Sequence, residues 1–326
     1  MSEYKTIQGT RVRNYSSDPA NPLLGQIWYN TTTNVLKGLG YIATSSWSTG
    51  GNLNTARRIL AGAGNKGAAL AFGGYVASNV TNTETYNGTS WTEVNNLNTA
   101  RRSIAGFGIQ TAAIAAGGNP STVNVESFNG TNWTEVGNLN TSRSSATGVG
   151  TDTSGLVYGG YTTTNVAVNE SWNGSSWTEV ADLNTARANL GGAGTQTAAL
   201  AFNGGPQANV GPAKYNTESW NGSAWTTLSS PSNTNTAAEG VASSGSQTSA
   251  IVFGGSIYVG APNARTEQWN GSAWTETTDL NTGRSALGSG SGGNNTSAIG
   301  FGGSPNTTST EEWTGAGTAT VTFDDA

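Results

Sequence analysis

The sequence predicts an all-β chain built from six copies of a four-stranded antiparallel unit, and three observations carry that expectation. A tryptophan recurs at Trp47, Trp91, Trp133, Trp177, Trp225 and Trp274, at spacings of 44, 42, 44, 48 and 49 residues, the period of a propeller blade. Within each period four short strand-like segments alternate with turn residues, as in SIAGFGI, TAAIAAGG, VNVESF and NWTEV of the second unit. A glycine pair closes the second segment of every unit, beginning at Gly73, Gly117, Gly159, Gly204, Gly254 and Gly302.

The elements follow in order. Asn-Gly stands between the third and fourth strands at Asn87, Asn129, Asn173, Asn221 and Asn270. Both residues tolerate positive φ, which predicts a type I′ hairpin turn. The third-strand aromatics Tyr86, Phe128, Trp172, Trp220 and Trp269 each precede the fourth-strand Trp by five residues, the constancy that a fixed hairpin register requires. One unit is too small to bury both faces, so successive units are expected to stack with these aromatics between them and to close into a ring. The glycine pairs are expected at tight turns near its crowded axis. Trp47 precedes Arg57 by ten residues, as the later Trp residues precede their arginines, so its strand should complete the sixth unit and close the ring. The alternative is that Thr318 to Phe323 supplies that strand and the Trp47 strand adds outside it.

Composition bounds the function. The 326 residues carry 10% charged side chains and a net charge of −5, far from the basic footprint that nucleic acid demands. No cysteine and no histidine occurs, which removes thiolate and imidazole chemistry and the commonest metal ligands; no cofactor and no transition metal is expected. Glycine is abundant at 47 residues, yet 11 tryptophans argue against a disordered chain. The N-terminus MSEYKTIQGTRVRNYSSD lacks an apolar leader segment and no run of about 18 apolar residues occurs, so neither a Sec-type signal nor membrane insertion is expected.

A second strand ending in Gly-Gly, a Glu two residues before an aromatic, a Trp and then an Arg opening the next unit together resemble the kelch repeat over residues 41 to 326. The resemblance implies a six-bladed kelch-like β-propeller of four-stranded antiparallel blades, and says little by itself about activity. In kelch proteins this Arg opens the innermost strand near the channel mouth, which makes Arg57, Arg101, Arg143, Arg187 and Arg284 candidate ligand contacts. Glu84, Glu126, Glu170, Glu218, Glu267 and Glu311 recur just as regularly, so Arg–Glu pairing is the competing structural reading. The fifth unit departs from the pattern, with Ala238 in the Arg position.

Length variation concentrates between the second and third strands, where 12, 10, 12, 15, 14 and 10 residues separate the second Gly from the third-strand aromatic. Strand alternation puts these loops on the face that carries the Arg segments, opposite the Asn-Gly turns. Loops tolerate change and carry recognition. Tyr75, Tyr161, Tyr215, Tyr258 and the insertion at 206–215 therefore form the candidate ligand surface.

Residues 1 to 40 lie outside the repeats and contain GQIWYNTTTNVLK, where Ile27 to Asn30 and Asn34 to Lys37 are expected to pair across a Thr-rich turn. This segment is similar to N-terminal segments of structural proteins from marine tailed phages. The resemblance implies a virion component, a non-enzymatic adhesin or decoration protein released by lysis, attached to other virion proteins through residues 1 to 40 and binding a host-surface glycan or protein. An intracellular kelch-type interaction scaffold and a propeller glycoside hydrolase are the other readings. A hydrolase needs two carboxylates converging in one pocket, and the evenly repeated Glu set distinguishes no such pair.

Overall fold

A computed structural model describes residues 12–19, 26–42, 45–205, 215–229, 232–258 and 261–323. Among the described residues the chain is all-β, with no helix, and holds seven four-stranded sheets together with one small hairpin, Ser256–Tyr258 with Ala261–Pro262. Two compact units result: residues 46–314, and a smaller one made of 1–45 with 315–326.

Six sheets fill residues 46–314, and we number them in chain order. Sheet one is Ala61–Asn65, Ala68–Phe72, Thr83–Tyr86 and Trp91–Val94; sheet two is Ala105–Ile109, Ala112–Ala116, Val125–Phe128 and Trp133–Glu135. Sheet three is Thr147–Thr151, Ser154–Tyr158, Asn169–Trp172 and Trp177–Val180; sheet four is Gly191–Gly194, Ala199–Phe202, Glu218–Trp220 and Trp225–Thr227. Sheet five is Ala242–Ser246, Ser249–Phe253, Thr266–Trp269 and Trp274–Glu276. Sheet six takes Gly288–Ser289, Ser297–Phe301 and Thr310–Thr314 from the end of the repeats and Ser46–Thr49 from their beginning, with Trp47 opposite Trp313. The Trp47 strand thus completes the last sheet.

The segment Gly317–Phe323, the alternative candidate for that position, pairs instead with Val35–Ile42 in the smaller unit. There Ile27–Asn30 and Val35–Ile42 form the expected antiparallel hairpin, and Arg13–Tyr15 adds in parallel to Ile27–Asn30. The chain therefore divides near 45 and again near 314, where the sequence placed a single boundary at 40. The C-terminal strand carries no repeat residue that would have marked it as foreign to the array.

The aromatics pack as the register demands. Each third-strand aromatic faces the fourth-strand Trp of its own sheet at about 5 Å, as in Tyr86–Trp91 (4.9 Å) and Trp269–Trp274 (5.4 Å). The same Trp reaches the second-strand aromatic of the preceding sheet: Trp133 lies 4.9 Å from Phe72, Trp274 4.7 Å from Phe202, Trp47 4.7 Å from Phe253 and Trp91 4.9 Å from Phe301. Four of the indoles also donate across the junction, Trp91 to Thr310, Trp133 to Thr83, Trp274 to Thr217 and Trp47 to Thr266.

Two details differ from the sequence expectation. The Asn-Gly connection is a four-residue loop in place of a two-residue type I′ turn: Tyr86 pairs with Trp91, and only Gly88 has positive φ (88°). The Asn87 side-chain oxygen accepts the N–H groups of Thr89 and Ser90 (3.0 and 2.9 Å), so the asparagine serves as a local cap. The glycine pair of sheet four is displaced by one, because Gly204 donates to Ala238 as Gly74 donates to Arg101, which leaves Asn203 (φ 56°) in the first-glycine position. At the equivalent Gly117 a Cβ would stand 2.5 Å from the carbonyl oxygen of Arg143, which is why glycine recurs there.

Because Trp47 is 6% exposed and bridges sheets five and six, Trp47→Ala should cost about 3–5 kcal/mol, as for a core aromatic of any sheet. Denaturant unfolding checks this, with Trp133→Ala as the internal reference; a loss below about 1 kcal/mol would mark the Trp47 strand as peripheral.

Candidate functional site

The five repeated arginines are buried at 0–1% exposure, and each is paired with the glutamate of its own sheet: Arg57–Glu84, Arg101–Glu126, Arg143–Glu170, Arg187–Glu218 and Arg284–Glu311. Arg101 shows the pattern. Its guanidinium donates to Glu126 (2.7 Å) and to the carbonyls of Gly117 (2.7 Å) and Asn124 (2.8 Å), and so ties the loop to the second and third strands. The other glutamate oxygen accepts the backbone N–H of the Asn in the recurring Leu-Asn segment, at 2.6 Å from Asn54 and 2.7 Å from Asn98, Asn140, Asn184 and Asn281. The buried guanidinium of Arg101 has its pKa lowered by desolvation, which the Glu126 charge opposes. A ligand on the loop face would not meet these guanidiniums, because the fold turns them inward.

Sheet five keeps the acid without the base. Glu267 is 2% exposed and accepts the N–H groups of Asn235 (2.7 Å) and Thr236 (2.9 Å), but Ala238 stands where the arginine would be. The Asn203 side chain, allowed by the displaced glycine pair, enters this region and donates to the Thr236 carbonyl (2.8 Å). A residual void of about 10 Å³ remains between Asn203, Ala238 and Glu267, the scale of a single water.

The loops that follow the arginines converge on a cavity of about 910 Å³. Its lining includes six residues joined by backbone hydrogen bonds in a closed cycle. The N–H of Ser103 donates to Ile59 (3.1 Å), Ser145 to Ser103 (2.9 Å), Asn189 to Ser145 (3.0 Å), Gly240 to Asn189 (2.9 Å), Ala286 to Gly240 (2.8 Å) and Ile59 back to Ala286 (2.7 Å). All six have φ between 52° and 62°, and five of them are not glycine. Left-handed backbone at such residues costs about 1–2 kcal/mol each, so the surrounding packing holds a strained ring.

The residue immediately after each repeat arginine position stands next to this ring: Arg58, Arg102, Ser144, Ala188, Glu239 and Ser285. Arg102, Ser144, Ala188, Glu239 and Ser285 line the cavity with Asn119, Tyr161, Thr164 and Asn165. The polar side chains of the lining are mostly hydroxyls and amides, with one guanidinium and one carboxylate, and two polar atoms, Glu239 Oε2 and Asn165 Nδ2, are buried without a hydrogen-bond partner.

The four candidate tyrosines are dispersed. Tyr161, 44% exposed, lines the cavity. Tyr75 is not among the lining residues, and its ring carries the guanidiniums of Arg58 (5.0 Å) and Arg102 (4.8 Å). Tyr215, 37% exposed, is not among the lining residues and anchors Thr234 through its carbonyl. Tyr258 sits on a short strand, its side chain outside the described residues, as are 206–214 of the insertion. Neither Arg102, which shares the basic position of the repeat with Arg101, nor Glu239 is among the residues that the sequence nominates for the site. The signal was available: a column that holds arginine in five of six repeats is followed by a column holding Arg, Arg, Ser, Ala, Glu and Ser.

No family model matches the chain, and no curated protein sequence matches it.

Removing one partner of a buried pair leaves the other charged and unsolvated. Arg143→Met should therefore destabilise by about 3–5 kcal/mol, and the double variant Arg143→Met/Glu170→Met by clearly less, as read by chemical denaturation.

A second expectation concerns Glu267. Burial pushes its carboxyl pKa up, against the pull of the Asn235 and Thr236 N–H groups. The folded state thus binds a proton that the unfolded state releases, so the stability contribution is full below the ordinary carboxylate range and is lost as pH rises through the raised value. The unfolding midpoint should fall over that window in wild type, and fall less in Asn203→Gly/Ala238→Arg, which restores the missing pair. Parallel calorimetric profiles for the two proteins would refute this.

Proposed function

We propose that residues 46–314 form a closed six-bladed kelch-like propeller that acts as a non-catalytic binding domain, and that its ligand occupies the cavity on the arginine-loop face. The observation that carries this reading is the 910 Å³ cavity whose lining includes the six-residue hydrogen-bond cycle. Support for ring closure comes from that cycle, which returns from Ala286 to Ile59, and from a second one, in which Gly303 donates to Arg57 as Gly74 donates to Arg101. The lining is dense in hydroxyl and amide groups, the chemistry that meets sugar hydroxyls, and Tyr161 offers a flat amphipathic face. Among the described lining residues Glu239 is the sole carboxylate, whereas glycoside hydrolysis works through two.

The chain as a whole is proposed to be a phage virion component, an adhesin or decoration protein with a host-surface ligand, a glycan in preference to a protein. This rests on the resemblance of GQIWYNTTTNVLK to phage structural proteins and on a binding face suited to multivalent display. Weak sites suffice when many copies act together, since avidity adds a factor of about 10² to 10⁴.

Immunogold labelling and proteomics of purified particles should find the chain on the virion. Tyr161→Ala and Asn119→Ala should each weaken adsorption to host cells about tenfold, at about 1.4 kcal/mol per decade, with the unfolding midpoint unchanged. Asn129→Ala, on the opposite loops, should leave adsorption intact. Loss of adsorption only on changing the Asn-Gly loops would place the ligand on the wrong face, and absence of the chain from particles would end the virion reading.

A further inference from the structure

The charges at the mouth are arranged asymmetrically. In the column that follows the repeat arginine, sheets one and two place Arg58 and Arg102, sheet five places Glu239, and the other three positions are Ser144, Ala188 and Ser285. Ser103 and Gly240, the next residues after Arg102 and Glu239, are three steps apart in the hydrogen-bond cycle whichever way it is followed. Arg102 and Glu239 therefore start from opposite sides of the mouth. With neighbouring strands about 4.8 Å apart, a hexagonal ring is about 10 Å across, the span of two linked sugar rings.

Arg58 and Arg102 differ from the five buried arginines in having no carboxylate within ion-pair distance among the described residues. Both press on the one Tyr75 ring, with guanidinium carbons 5.0 and 4.8 Å from its centroid. Neutral asparagines steady them: Arg58 donates to Asn306 (3.1 Å) and Arg102 to Asn79 (3.0 Å). Asn79 and Asn306 are themselves fixed, donating to the carbonyls of Asn119 (2.7 Å) and Val76 (2.9 Å). Both guanidiniums thus lie against one ring with no carboxylate within ion-pair distance among the described residues, and a bound anion would be attracted to them. Across the mouth Glu239 lines the cavity with a carboxylate, and Asn165 lines it with an amide from the loop of sheet three. Hydroxyl groups, which both give and accept, suit these two side chains.

Resting on the reading of the cavity as a saccharide site, we propose that it selects a sugar bearing one acidic group. The carboxylate or sulfate sits on Arg102, backed by Arg58 over Tyr75, and ring hydroxyls meet Glu239 and Asn165. Glu239 repels a second acidic group, which disfavours a polyacidic peptide in the same place.

The test is calorimetric titration of the full chain with four probes of similar length: an oligogalacturonate, a sulfated galactan oligosaccharide, a neutral galactan oligosaccharide and an oligoglutamate peptide. An acidic sugar should bind about tenfold or more tighter than the neutral one, as a hydrogen bond to a charged group implies, and added salt should narrow the gap. The two acidic arms separate carboxylate from sulfate. Arg102→Met, which keeps the stem against Tyr75, should bring the acidic sugar to the neutral level, and Glu239→Gln should weaken all three sugars. Arg58→Met serves as the second charge variant, and the wild-type preference stands independently of how either variant folds. Equal affinity for neutral and acidic sugars, or an Arg102→Met variant that keeps the preference, overturns this inference while leaving the cavity a sugar site. Absence of binding by every sugar overturns both readings, and tighter binding of the oligoglutamate replaces the saccharide with an acidic peptide.

Discussion

Residues 46–314 are organised by the buried arginine that starts five of the six repeats. Its guanidinium ties it to the glutamate and carbonyls of its own sheet, while its carbonyl oxygen accepts the second glycine N–H of the preceding sheet, as Arg101 does from Gly74 (2.8 Å). One residue therefore fastens two sheets. Desolvating a guanidinium is costly, and it is tolerated because the partner glutamate and one or two carbonyls receive its terminal nitrogens. The accounting is not perfect: Nε of Arg57, Arg101, Arg143, Arg187 and Arg284 has no partner, a cost repeated identically in five sheets. Repetition of the same imperfection indicates that the pair is kept for the geometry that it imposes on the loop.

That geometry creates the candidate site as a by-product. Holding the arginine inward turns the residue after it toward the mouth and drives the residue after that into the left-handed region, where its backbone joins the cycle from Ile59 to Ala286. The strain at five non-glycine positions is sustained by the buried pairs outside it and the hydrogen bonds within it. The scaffold thereby separates two tasks that a sequence pattern merges: the recurring arginine builds the mouth, and its variable neighbour decides what the mouth attracts.

Sheet five shows what happens when the fastening residue is lost. Ala238 removes the guanidinium, the loop lengthens, and the Asn203 side chain occupies ground that a glycine leaves open elsewhere. The compensation is partial, since Glu267 remains buried and Asn203 Oδ1 and Asn263 Nδ2 lack partners. The relaxed sheet is also the one that delivers Glu239, the sole acidic group among the described lining residues.

The repeat, its four strands, the pairing of Trp47 with the last sheet and the Arg–Glu alternation are legible in the chain, because those features rest on side chains recurring at fixed spacing. A tryptophan or a glycine needed six times over leaves a mark that one chain suffices to show. The turn at Asn87 was misjudged for a related reason: Asn-Gly is equally compatible with a two-residue turn and with a four-residue loop capped by the asparagine oxygen, and only the register Tyr86–Trp91 decides. The hydrogen-bond cycle left no mark at all, since Ile59, Ser103, Ser145, Asn189, Gly240 and Ala286 contribute backbone, which every residue possesses. The departure of Gly317–Phe323 to the smaller unit, and the stacking of Arg58 and Arg102 on one Tyr75 ring, likewise joined residues whose spacing obeys no rule. Local periodicity is written in side chains; proximity between segments far apart in the chain is settled by packing, and only the tertiary structure supplies it.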